Sequence, residues 1–173
     1  MCRVRAAVVG PLDPDRTLDA DPGDRAPTVT PFAAGFTIGH FRVVRELGAG
    51  GMGVVFEAYD PDLDRRVAIK VVKGTGASTE AGARLIREAQ AMAKLAHPHV
   101  VAVHEVGTIE GQVFLVMELV PGETLQAWLE TPRPCREIVG AFVQAGEGLA
   151  AAHHAGMVHR DFKPTNVLVD HLG

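Results

Sequence analysis

Cysteine, basic charge and long apolar runs are what this chain has least of. Its 173 residues include two cysteines, Cys2 and Cys135. They have neither C-x-x-C spacing nor a framework pattern, which excludes a disulfide scaffold and a thiolate metal site. Both are expected to be reduced thiols in a cytoplasmic protein. The net charge of -4 excludes the basic footprint that a nucleic-acid surface needs, so neutral, soluble partners are expected. No stretch approaches the roughly 20 consecutive apolar residues of a membrane span. Gly10, Pro11 and Asp13 also interrupt any apolar core of a signal peptide. Aromatic residues make up only 5%, although the apolar share of 47% is ordinary for a globular chain. No internal repeat is present, and the length suits one domain with a substantial core.

What is present changes in texture along the chain. Residues 1–38 hold five of the eleven prolines, scattered Asp and Arg, and no sustained apolar period. A disordered tail is predicted there. From Phe41 the pattern becomes that of strands: one enters a glycine-rich stretch, Val54 to Tyr59 leaves it, and Val67 to Val72 follows the turn at Asp60, Pro61 and Asp62. Thr79 to Leu95 has helical spacing, with Leu85, Ala89, Met92 and Ala96 on one stripe, and Pro98 bars its continuation. Val100 to Val106 and Gln112 to Val120 read as strands joined at Glu110 and Gly111, completing a five-stranded antiparallel sheet with one helix. Thr124 to Leu129 reads as a short helix. Ile138 to His154 reads as a longer one, with Ile138, Phe142, Ala145, Leu149 and Ala152 on its apolar face.

Three clusters carry chemistry. Gly48, Gly50 and Gly53 form G-x-G-x-x-G, with Ala49 and Gly51 between them. The same spacing occurs in dinucleotide-binding folds, where the glycines open a helix; here the β-prone Val54 to Tyr59 follows, so a glycine-rich hairpin is expected. Backbone without Cβ atoms can approach a triphosphate and direct amides at its oxygens. Lys70 ends a V-A-I-K strand between Ile69 and Val71, where a cation is costly without a partner. His159, Arg160, Asp161, Lys163 and Asn166 spell H-R-D-x-K-x-x-N. Metal binding by the histidines is discounted, because His97, His99 and His104, then His153, His154 and His159, match no usual ligand spacing and no cysteine joins them.

In this order the three clusters resemble the protein kinases, and H-R-D-F-K-P-T-N-V-L-V with P-D-L-D-R-R-V-A-I-K resembles the bacterial serine/threonine kinases of the eukaryotic type. The resemblance implies an α+β fold: an N-lobe of five antiparallel strands and one helix over 39–122, then the first helices and catalytic loop of a C-lobe over 123–173. It implies ATP and Mg2+ as cofactors and a protein serine or threonine hydroxyl as acceptor. By resemblance, Lys70 holds the α- and β-phosphates and pairs with Glu88, Asp161 serves the substrate hydroxyl, Lys163 stabilises the transferring phosphoryl group, and Asn166 binds magnesium. Met117 matches the gatekeeper, Glu118 and Val120 offer backbone groups to adenine, and Val55, Ala68 and Leu168 sandwich its ring. His153 and His159 also fall at places that the family explains.

The family's D-F-G aspartate belongs roughly a dozen residues beyond Asn166. Only seven follow Asn166 here, and Asp170 is no substitute by position. The expectation is therefore a kinase by descent, truncated and of little activity alone. The alternative is a non-catalytic nucleotide-binding or protein-interaction module, pseudokinase-like in effect.

Overall fold

The structure, a computed structural model, describes residues 3–6, 36–50, 53–76 and 78–171. In chain order the elements are β1 (Arg3–Ala6), β2 (Thr37–Ile38), β3 (Phe41–Gly50), β4 (Gly53–Asp60), β5 (Arg65–Gly76), α1 (Glu80–Met92), β6 (Val103–Ile109), β7 (Gln112–Glu118), β8 (Gly122–Thr124), α2 (Leu125–Leu129), α3 (Cys135–His154), a 3-10 turn (Pro164–Asn166) and β9 (Val167–Asp170). The larger sheet runs β2-β3-β4-β5-β7-β6, antiparallel throughout, and the smaller one β1-β9-β8. The five expected strands are β3 to β7, and β2 is an addition: Ile38 pairs with Phe41 across a turn at Gly39, and both side chains are buried.

Strand alternation divides the larger sheet into two faces. Val54, Phe56 and Ala58 of β4 join Val67, Ile69 and Val71 of β5 and Phe114 and Val116 of β7 in one buried cluster. The opposite face carries Ala68, Leu115 and Met117 against Leu85, Ala89 and Met92 of α1. Thr79 caps α1, its side chain accepting from the Gly82 amide, which satisfies one of the donors left free at a helix start. The predicted stripe is borne out except at Ala96, which is exposed beyond the helix end.

Three expectations need correction. The tail assigned to residues 1–38 contains structure at both ends, while residues 7–35, with Thr17, Thr28 and Thr30, lie outside the described residues. Near its start, β1 pairs along its whole length with β9, with Val4 and Ala6 fully buried. A four-residue R-V-R-A alternation is too short to stand out from a polar tail, yet it suffices as an edge strand once β9 offers a partner. The strand expected from Val100 begins instead at Val103, because the backbone at 99–101 is engaged by β1: the Ala6 amide donates to His99 O (2.8 Å) and the Val101 amide to Ala6 O (3.0 Å).

The third correction concerns α3, whose buried residues are Ala141, Ala145, Gly148 and Ala152. Ala145 and Ala152 were expected inside, but Phe142 is exposed. The chosen face has small residues because the chain passes close: a Cβ on Gly148 would lie 2.2 Å from His99 O. With Val4, Leu125, Trp128, Val167 and Val169, Ala141 and Ala145 form the core beneath the smaller sheet.

Candidate active site

The two sheets enclose a cleft of about 760 Å3. Its roof is the alternate face of β4 and β5: Val55, Glu57, Arg66, Ala68 and Lys70 line it, while the residues between them point into the opposite core. Register explains the grouping, since Val55 lies opposite Lys70 and Glu57 opposite Ala68. The glycine hairpin is formed by β3 and β4, with Gly48 opposite Val55, Ala49 opposite Val54, and Gly50 opposite Gly53. Gly48 lines the cleft, and Gly51 lies outside the described residues. Gly53 is required by shape: its φ is +147°, and a Cβ there would lie 2.1 Å from the Val71 carbonyl oxygen.

Lys70 sits on the cleft side of β5, and burial pushes its ammonium below the usual lysine pKa; the negative charge of Asp161 offsets part of that. The sequence paired Lys70 with Glu88. Glu88 is half-buried on α1, and a Lys70–Glu88 ion pair is not among those formed by the described residues.

The catalytic-loop residues do converge. Lys163 Nζ lies 2.8 Å from Asp161 Oδ2. Asn166 Nδ2 donates to Asp161 O (2.8 Å) and to Oδ2 (3.1 Å). The hydrogen bond from Lys163 holds the Asp161 carboxyl below the usual carboxylate range; partial burial opposes it, and the Asn166 amide reinforces it. The backbone turns sharply to achieve this: Arg160 has φ +60°, and the Asp161 amide donates to His159 O at 2.8 Å. Buried His159 stands edge-on to Phe162 at a centroid distance of 5.6 Å, fixing the base of the turn.

Leu168 lines the floor of the cleft, with Met117, Glu118 and Val120 along its inner edge. The Glu118 amide donates to Ala102 O at 2.9 Å, so it is engaged within the protein. Apolar walls at Val55, Ala68 and Leu168 with a cation at Lys70 suit a flat ring bearing an anionic chain. Magnesium fits the donor set as well: Asn166 lines the cleft, and with its Nδ2 held by Asp161, its Oδ1 is the atom left to offer a hard cation.

The model of the protein kinase domain matches residues 41–173. The chain belongs to the protein kinase family. Among curated relatives of this chain, serine/threonine-protein kinase PknF of Mycobacterium tuberculosis is 40% identical over 144 residues, covering 80% of this chain and 30% of PknF. Serine/threonine-protein kinase PrkC of Bacillus subtilis is 38% identical over 138 residues, 78% of this chain and 21% of PrkC. Of solved structures, the PknI kinase domain of M. tuberculosis, in a cysteine-to-alanine variant, superposes with a TM-score of 0.72 at 31% identity, covering 80% of this chain and 58% of that one. The chain thus spans less than a third of the length of these curated relatives. The chain is similar to bacterial serine/threonine-protein kinases, and its mixed α/β architecture is that of the family.

Sequence reasoning missed the charged part of the cleft. Glu57 is buried among apolar residues of β4, with Arg45 Nε at 2.8 Å from Oε2 and Arg66 Nη1 at 2.6 Å from Oε1. The signal was a carboxylate two positions after Val55 inside V-V-F-E-A-Y, on the same strand face. Arg5 of β1 also forms an ion pair with Glu118, a contact that no local pattern announces. His40, Asp60 and Asp62 gather with ligand atoms within 4.8 Å. Asp60 there is a turn residue, accepting from the Asp62 and Leu63 amides and from Arg65 Nε. Among the described residues no helix is long and apolar enough to cross a membrane.

Proposed function

We propose that this kinase binds ATP with magnesium in the 760 Å3 cleft and transfers the γ-phosphoryl group to a serine or threonine hydroxyl of a cytoplasmic protein. The observation that carries the reading is geometric: Lys70 of the V-A-I-K strand and Asn166 of the H-R-D-x-K-x-x-N run line the same cleft. In the reaction the acceptor oxygen bonds to the γ-phosphorus, the bond to the β,γ-bridging oxygen breaks, the hydroxyl proton passes toward Asp161, and ADP leaves. Gly48, Ala49, Gly50, Gly51 and Gly53 would cover the phosphates, with Lys70 holding them and Glu88 swinging in to pair with Lys70. Lys163 would stabilise charge on the transferring group, and Asn166 Oδ1 would hold a magnesium ion, which neutralises triphosphate charge when bound. Met117, Glu118, Val120 and Leu168 would seat the adenine.

A second reading, nucleotide binding without transfer, is favoured by one observation: the described residues form no Lys70–Glu88 ion pair, which transfer in this family requires. Calorimetry with Mg-ATP and transfer from labelled ATP to a generic serine/threonine substrate, run on the wild-type chain, Lys70→Met and Asp161→Ala, separate the two. Binding lost in Lys70→Met but kept in Asp161→Ala, with wild-type transfer, supports the kinase reading. Binding without transfer supports the second, and no binding overturns both.

A further inference from the structure

We infer that Glu57 is a positioning residue for the glycine loop, acting through Arg45 so that the Arg45–Glu57–Arg66 triad sets affinity for the phosphate end of the nucleotide rather than for its base. The inference rests on the nucleotide reading of the cleft. Its starting point is the uneven support of β3. Phe41 and Val43 are buried, but every residue from Val44 to Gly50 is exposed. The half of β3 that carries the loop is therefore anchored by no buried side chain, and it holds to β4 through the ladder and through side-chain contacts at its surface.

Two irregularities interrupt that ladder. Register shifts fall between Val43 and Arg45 and between Glu46 and Gly48, so Val44 and Leu47 are extra residues on β3. Without the first, alternation from Val43 would put Arg45 on the face of the buried core. With it, Arg45 lies directly opposite Glu57, on the cleft side. A bulge that re-aims one side chain beside a ligand cleft is a recurrent device, and here it delivers a guanidinium to a carboxylate that is only 2% exposed. Each Glu57 oxygen then has its own arginine, Oε2 with Arg45 on β3 and Oε1 with Arg66 on β5. Glu57 is thus stitched at once to the loop-bearing strand and to the strand of Lys70. The stitch fixes how far the loop stands from Lys70, and hence where the loop amides meet the phosphates. Val55 and Ala68 would meet the adenine through their own side chains, and because Ala68 lies opposite Glu57, affinity for the base alone is the control that separates the two ends of the nucleotide.

Adenosine, which has the base and no phosphates, is the discriminating probe. Affinities of the full chain for Mg-ATP and for adenosine are measured by calorimetry for wild type, Glu57→Gln, Arg45→Gln and Arg66→Gln. Mg-ATP is expected to bind about tenfold more weakly to Glu57→Gln and about fivefold more weakly to Arg45→Gln, with adenosine changed by less than about twofold. Arg45→Lys is expected to recover part of the loss. Arg45 is exposed, so its glutamine variant should fold and melt near wild type even if Glu57→Gln does not. Equal weakening of both ligands would mean a general structural role, and unchanged Mg-ATP affinity would mean no role; either overturns the inference. A wild type that binds adenosine and Mg-ATP alike leaves the cleft a base site but removes the phosphate contacts, overturning the inference alone. One that binds neither ligand overturns the nucleotide reading and the inference together.

Discussion

Lys70 is a residue held where it is useful rather than where it is comfortable. Burial lowers its pKa, so the folded chain binds its proton less readily than the unfolded chain does. The sign follows: folding gains stability as pH rises from the lowered value toward the ordinary lysine value of about 10.4, and Lys70 weakens the fold below that window. Lys70→Met is expected to raise the melting temperature of the free chain by a few degrees and to abolish Mg-ATP binding, a trade of stability for function read by thermal melts and calorimetry. Asp161 has the opposite sign of linkage. Its carboxyl is lowered chiefly by Lys163, so its contribution is complete above the ordinary carboxylate range and is lost as pH falls through the lowered value. In Lys163→Met the Asp161 titration, followed by carboxyl carbon NMR, should move upward toward the ordinary value. An unmoved midpoint would show that Lys163 is not its main partner.

At the scale of elements, the regular strands and α1 were legible because β-prone runs and helical spacing act locally, as Val54 to Tyr59 and the Leu85, Ala89, Met92 stripe show. The hairpin at Glu110 and Gly111 was legible for the same reason: both residues adopt positive φ, +48° and +77°, which two-residue hairpins demand. β1 was not legible, since its strand character comes from β9, more than 160 residues away in sequence. Val4→Asp should therefore unfold the smaller sheet's edge, costing about 3 kcal/mol or more in chemical denaturation, because a charge would enter a fully buried site. Gly53→Ala tests the hairpin. With the Val71 carbonyl oxygen 2.1 Å from the new Cβ, β4 and β5 have to separate, and a loss of about 2 kcal/mol with weakened Mg-ATP binding is expected.

The whole molecule offers a test that depends on no single contact. A ligand that binds only the folded state stabilises it by mass action, by about 2.7 kcal/mol at a hundredfold excess over Kd. Mg-ATP should raise the melting temperature of the wild-type chain, removal of magnesium by chelation should reduce that shift, and Lys70→Met should eliminate it. The two walls of the cleft come from different parts of the fold, β4 and β5 on one side, β9 and the 3-10 turn on the other. A shift that needs both Lys70 and magnesium would report that the two sides act as one site.

The sequence by itself determined the family and the order of β3 to β7 with α1, α2 and α3, and it supplied the candidate residues of the site, because glycine at a close backbone approach, lysine within an apolar strand and the H-R-D-x-K-x-x-N run are local patterns. Convergence of Asp161, Lys163 and Asn166 was also legible, since eight residues of loop can hardly separate them. Tertiary structure alone decided the rest. It brought Lys70 and Asn166 to one cleft, recruited R-V-R-A as a strand, and put Arg45 opposite Glu57 by inserting Val44 into the ladder. Each of these depends on which surface a distant segment meets, and a side chain's partner across a sheet is set by register, which the order of residues along one strand does not contain.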